Sequence, residues 1–138
     1  MDSTALLRGM LEGAVSPLRA FAQVPDSRPE KFVTVERTGG KIDAFSDSPT
    51  FAVQAWAQTK AEAADLAEKV AAVIDSWPRT NPAVADATVE SMYDFADPDS
   101  RSQRFQLTVH AVIYNTTQPV ADAPPPPPSG WGQGWDEL

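Results

Sequence analysis

At 138 residues, with a formal charge of −8 and a sequence pI near 4.4, the chain is long enough to bury one core but carries the wrong sign of charge to grip nucleic acid through its phosphates. It has no cysteine, which excludes disulfides, thiolate metal sites and cysteine nucleophiles. No apolar run approaches the roughly 20 residues that span a bilayer, and Met1-Asp2-Ser3-Thr4 lacks the basic start and cleavage site of a secretory signal, so folding in the cytosol of the producing cell is expected.

Residues 3 to 20 read as a first helix, with Leu6, Leu7, Met10, Leu11 and Leu18 near helical spacing and Ser3 or Thr4 as its cap. Gly9 and Gly13 each weaken it by about 1 kcal/mol relative to alanine, and Ser16-Pro17 kinks or restarts it. The turn-rich link Val24 to Pro29 leads into a strand, Phe32 to Arg37, rich in β-branched residues. Thr38-Gly39-Gly40-Lys41 then reads as a reversal, since glycine tolerates positive φ. It is not a phosphate loop, because Val35 stands where that motif needs glycine and Ile42 where it needs Ser or Thr. Residues 42 to 50, with Asp43, Ser46, Asp47, Ser48 and Pro49, read as a polar connection.

Phe51 to Ala57 is the central strand. Its alternation puts Phe51, Val53, Ala55 and Ala57 on one face and Ala52, Gln54 and Trp56 on the other. Thr59 and Glu62 form a capping box that opens a helix, in which Ala63, Leu66, Ala67, Val70, Val73, Ile74 and Trp77 make the dry stripe. Pro78 to Pro82 stops it. Two further strands follow, Thr88 to Phe95 and Arg104 to Tyr114, joined by a polar hairpin loop from Ala96 to Arg101. The order predicts an α+β fold: a mixed or antiparallel sheet of about four strands packed on one face by two helices. Residues 1–115 make that domain. Residues 116–138 make a C-terminal arm, extended through Pro119 and Pro124 to Pro128 and ending in glycines around Trp131 and Trp135. By composition the arm reads either as a disordered tail or as a tether that docks its tryptophans on a partner.

Catalysis has no foothold in the residue pattern, and no cofactor is implied. His110 is the sole histidine and falls on the polar face of its strand, where a solvated or hydrogen-bonded side chain is expected. Asp94, Asp97 and Asp99 do not match a calcium loop, which would need oxygen ligands where Ala96 and Arg101 stand. Asp43 and Asp47 sit in a polar stretch where nothing separates their pKa values.

The run from Pro25 through Val33-Thr34-Val35-Glu36-Arg37 to Gly39-Gly40, then Phe51-Ala52-Val53-Gln54-Ala55-Trp56-Ala57 and its alanine-rich helix, resembles the tail terminator (tail completion) proteins of long-tailed bacteriophages, particularly those infecting actinobacteria. The resemblance covers residues 1 to about 115. It implies a structural virion subunit, without enzymatic activity, at the head-proximal end of the tail. It implies a homo-oligomer, a hexameric ring, that sits on the last ring of tail-tube protein, ends tube polymerisation and meets the head-side connector or stopper protein. Genome DNA would pass through its lumen without sequence-specific binding. No membrane is implied. Under that reading the expected protein contacts are Arg37, Gly39, Gly40, Lys41 and Ile42 in one hairpin, Asp97 and Arg101 in the other, and Trp131 and Trp135 in the arm. Replacing Gly39-Gly40 by Val-Val is expected to leave the monomer folded while impairing assembly. Competing readings are a head-tail adaptor or stopper ring, a cytosolic adaptor presenting its polyproline to an aromatic groove, and a small α+β enzyme.

Overall fold

The computed structural model describes residues 2–15, 17–95 and 102–114. In chain order these form α1 (Ser3–Ala14), β1 (Ala20–Phe21), β2 (Phe32–Ile42), β3 (Ser46–Ala57), α2 (Lys60–Thr80), β4 (Val84–Asp94) and β5 (Gln103–Tyr114). The strands make one mixed sheet in the order β1-β2-β3-β5-β4. Only the β1–β2 pair is parallel; the other three are antiparallel. The α+β class with two helices stands, and the sheet has five strands because a two-residue β1 adds to its margin.

Alternation on the strands decides where the core lies. Val33 and Val35, Phe51, Val53 and Ala55, and Leu107, Val109, Ala111 and Ile113 point to one face. That face is roofed by Ala67, Val70, Ile74 and Trp77 of α2 and by Leu7 and Leu11 of α1, so both helices pack on the same side. The predicted dry stripe of α2 is buried except for Val73, which is half-buried. Of the expected capping box the Thr59 half forms, its hydroxyl accepting from the Glu62 N–H at 3.1 Å. Pro78 does not stop the helix: it lies inside, and α2 runs on to Thr80. Near a C-terminus the missing Pro78 N–H costs a single ladder bond. The true stop is Asn81, whose main-chain N–H still reaches the Trp77 carbonyl while Pro82 bars another helical turn.

α1 is shorter than expected and capped one residue earlier. Asp2 is the cap, its carboxylate accepting from Thr4 and Ala5 N–H at 3.0 and 3.2 Å; Ser3 lies inside the helix and is buried. Beyond Ala14 the chain doubles back, because Pro17 lacks the N–H a continuing helix needs and the Glu12 carboxylate accepts from the Ala20 N–H at 2.9 Å. That bond sets Ala20-Phe21 beside Val33-Thr34 as β1.

The β2–β3 hairpin is much longer than expected. Thr38 to Lys41 is not a reversal but the outer half of β2, and Ser46 to Thr50 is the first half of β3. The chain turns at residues 43–45 instead. There the Asp43 carboxylate accepts from the main-chain N–H groups of Phe45 and Ser46 at 2.8 and 2.9 Å, and the Asp43 N–H reaches back to the Ser46 carbonyl. A register shift between Arg37 and Gly39 leaves Thr38 without a partner, and the ladder resumes with Gly39 opposite Thr50 and Gly40 opposite Pro49. Gly40 sits at φ +108°, and a Cβ there would run into the Ser48 carbonyl and the Pro49 Cα.

Candidate assembly surface

The β2–β3 hairpin is held at its root by one ion pair. The Arg37 Nη1 donates to Asp47 Oδ2 across the hairpin at 2.9 Å and Nη2 lies 2.8 Å from Oδ1 without hydrogen-bond geometry, while Nε donates to the Gly39 carbonyl at 2.9 Å and Nη1 to the Ser3 hydroxyl of α1 at 3.3 Å. A charge-assisted hydrogen bond of this kind is among the stronger ones a protein makes. Arg37 is therefore spent inside the chain, tying strand to strand and hairpin to helix. Arg37→Ala should lower stability by about 1–3 kcal/mol, because the half-buried Asp47 charge loses its partner. A urea titration beside Arg37→Lys measures this, the lysine recovering only part because one ammonium cannot reach Asp47, the Gly39 carbonyl and the Ser3 hydroxyl together.

The rest of the arm faces outward. Gly39, Gly40, Lys41 and Ile42 are exposed, and Phe45 at the tip is the most exposed large apolar side chain described, at 75%. Ile42, Phe45 and Tyr114 all lie at one end of the sheet, since Ser46 pairs with Tyr114. Sequence reasoning passed over Phe45; its signal was an aromatic residue amid Asp, Ser and Pro, where no core is built. The Asp43 carboxyl is held below its ordinary value of 3.8, first by the Phe45 N–H, then by the Ser46 N–H, with Lys41 assisting. A carboxyl with a depressed native pKa stabilises the turn above the unfolded value and loses that contribution as pH falls through the native one. Acidification below 3.8 should therefore lower the amide protection factors at Phe45 and Ser46, measured against the intrinsic rate at each pH, before the rest of the sheet responds. Asp43→Asn should flatten that response.

At the other end of the sheet an aromatic cluster fills the face that the helices leave uncovered. Trp56 stacks on Phe32 with centroids 5.4 Å apart and planes 8° from parallel, and Phe21 meets Phe32 edge-on at 6.0 Å. The guanidiniums of Arg28 and Arg104 lie 5.3 and 5.0 Å from the Trp56 ring, and Arg104 also covers Phe95 at 4.2 Å. From this cluster a row of hydrogen bonds crosses the four long strands. The Trp56 N–H donates to the Thr34 hydroxyl at 3.2 Å, Thr34 to the Gln54 carbonyl oxygen at 3.3 Å, Gln54 to Gln106 at 2.8 Å, and Gln106 to the Tyr93 hydroxyl at 2.8 Å. Every donor points the same way along the row, so each bond reinforces the next.

Of the expected contact residues, Gly39 to Ile42 lie together on the outer arm, and Arg37 lies at its root facing inward. Asp97, Arg101, Trp131 and Trp135 fall outside the described residues, as does the whole 116–138 arm. His110 pairs with Thr50 and Thr88 across the sheet on the uncovered face. Among the described residues no group of three or more His, Asp or Glu could hold a metal ion, and no helix is long and apolar enough to cross a membrane.

What the described fold offers is margins, a projecting arm and an uncovered polar face. No curated protein matches the chain. The family described as Tail completion protein gp17 matches residues 4–114, which spans α1 to the end of β5. The chain therefore belongs to the tail completion protein gp17 family, structural proteins of bacteriophage tail assembly.

Proposed function

We propose that copies of this chain close into a hexameric ring on the last ring of tail-tube protein, end tube polymerisation there, and present their other side to the head-side connector or stopper protein. The family match across the whole described fold is the observation that carries this reading. The fold supports it: among the described residues, one sheet leaves both margins largely unpaired and one broad face without a helix, the equipment of a subunit made to adjoin other subunits. The uncovered face, with Ala52, Gln54, Gln106 and Thr108 along its centre, suits a lumen, because these uncharged groups give DNA phosphates nothing to hold, the basic Arg28, Arg104 and Lys41 lying toward its two ends. Gly39 to Ile42 and the 97–101 loop reach neighbouring subunits, and residues 116–138 form an appended arm, beyond the family match, whose Trp131 and Trp135 anchor on a partner. Deleting residues 119–138 should leave ring formation intact.

A nonsense mutant tests the position in the particle. Electron micrographs of its lysate should show overlong tails without heads. DNA-leaking heads beside tails of normal length would instead place the chain at the adaptor or stopper position.

A further inference from the structure

Among the described residues two margins of the sheet are open. β4 has no strand on its outer side among the described residues, and β1 covers β2 only at Val33 and Thr34, leaving the outer side of β2 bare from Val35 to Ile42. Bare edges of this length template pairing with another chain unless something covers them. Their polarities are opposed. Three antiparallel steps separate β2 from β4, so the two strands run in opposite directions within one chain. A second copy set alongside in the same orientation therefore brings its β2 against β4 of the first in the antiparallel sense, the more stable ladder. The contact joins different edges, so it is heterologous, the kind whose repetition gives a ring when the rotation closes.

Heights along the strands also agree. Ile42 pairs with Asp47, Asp47 with Ile113, and Ile113 with Val84, which puts Ile42 and Val84 on one rung. One rung further in lie Lys41, opposite Ser48, and Asp86, opposite Val112. Ile113 and Val84 belong to the core side, so by alternation Lys41 and Asp86 share the uncovered face. Both are exposed, and neither joins an ion pair among the described residues; Asp86 accepts only from the Thr88 hydroxyl, at 3.3 Å. We infer that adjacent copies join by antiparallel pairing of β2 from one with β4 of the next, with Lys41 of one copy beside Asp86 of its neighbour. The inference rests on the ring reading above and names the surface that builds it. Main-chain bonds hold the joint; the charge pair selects its register and disfavours slipped alternatives. Gly39 and Gly40 leave the outer flank of β2 free of side chains where the neighbour approaches.

The absence of native cysteine makes the test clean. In the full-length chain carrying Lys41→Cys and Asp86→Cys, the two positions of one molecule are three strand spacings apart, about 14 Å. A disulfide needs Cα atoms roughly 4.4–6.8 Å apart, so only a bond between molecules can form. Oxidation in the presence of purified tail tubes should give a ladder of covalent dimers, trimers and higher species that ends at a closed ring, whereas each single-cysteine variant should give no ladder. Separately, Lys41→Asp or Asp86→Lys should weaken association roughly fivefold per contact, and the two together should restore it. Rings seen by native mass spectrometry without the ladder would overturn the edge pairing and leave the ring reading standing. Solitary chains, alone and on tubes alike, would sink both.

Discussion

Gly40→Val should open the outer half of the β2–β3 hairpin and cost about 2–5 kcal/mol, the sum of a side chain forced to positive φ and a steric clash. Both causes act at the same residue. Its φ of +108° lies where L side chains are strained, and the atoms a Cβ would meet are the Ser48 carbonyl and the Pro49 Cα, which are backbone and cannot swing away. Gly40 pairs with Pro49, so relief requires breaking the ladder between the Arg37–Asp47 root and the Asp43 turn. Gly39→Val is the control. Nothing lies within 4 Å of a Cβ there and its φ is not positive, so the change should stay within about 0.5 kcal/mol. The expected Val-Val replacement is thus no neutral probe of assembly: its second half disturbs the subunit itself. Urea titrations of the two single variants, with amide exchange across residues 37–50, separate the cases. Equal stability in both would mean that the arm does not hold Gly40 in this conformation.

Which elements were legible follows from how locally each is specified. α2 was readable because its stripe repeats over 21 residues without interruption and Thr59 caps its start. The inner half of β3, Phe51 to Ala57, was readable because it lies between two strands and so alternates cleanly. Its outer half was not. Ser46-Asp47-Ser48-Pro49 has the composition of a loop, and is a strand because β2 and β5 flank it on both sides. Gly39-Gly40 carried a genuine signal, a need for positive φ at Gly40, but that need arises within a strand, opposite Pro49, and not at a chain reversal. Two-residue β1 left no pattern to find, since a bond from the Ala20 N–H to Glu12 places it. The same limit hid much of the surface. Arg37 looked free because the hairpin was assumed short, and only its full length brings Asp47 into reach. The paired open margins depend on β5 lying between β3 and β4, a fact of order across the sheet that no stretch of residues states.

Trp56→Ala should cost about 3–5 kcal/mol, as large aromatic truncations in well-packed sites do, although Trp56 belongs to no part of the helix-covered core. It is 1% exposed on the opposite face. There its ring supplies the stacking surface for Phe32 and the platform under Arg28 and Arg104, and its N–H begins the hydrogen-bond row. Removing it strips the Thr34 hydroxyl of its donor and uncovers Phe32, whose edge contact with Phe21 steadies β1. Trp56→Phe keeps the stack and loses only the N–H, so it should cost about 1 kcal/mol. Thr34→Val leaves a buried N–H without an acceptor and should cost about 1–3 kcal/mol. The graded order, Ala well beyond Val and Phe, identifies packing as the larger share. A Trp56→Ala variant as stable as Trp56→Phe would mean that this face needs no aromatic ring. Because the Trp56 partners Phe32 and Thr34 lie on β2, loss of the ring should also raise amide exchange along β2 more than along β4. If β2 is one half of the joint between subunits, Trp56→Ala then weakens assembly from a distance, without touching Lys41 or Asp86.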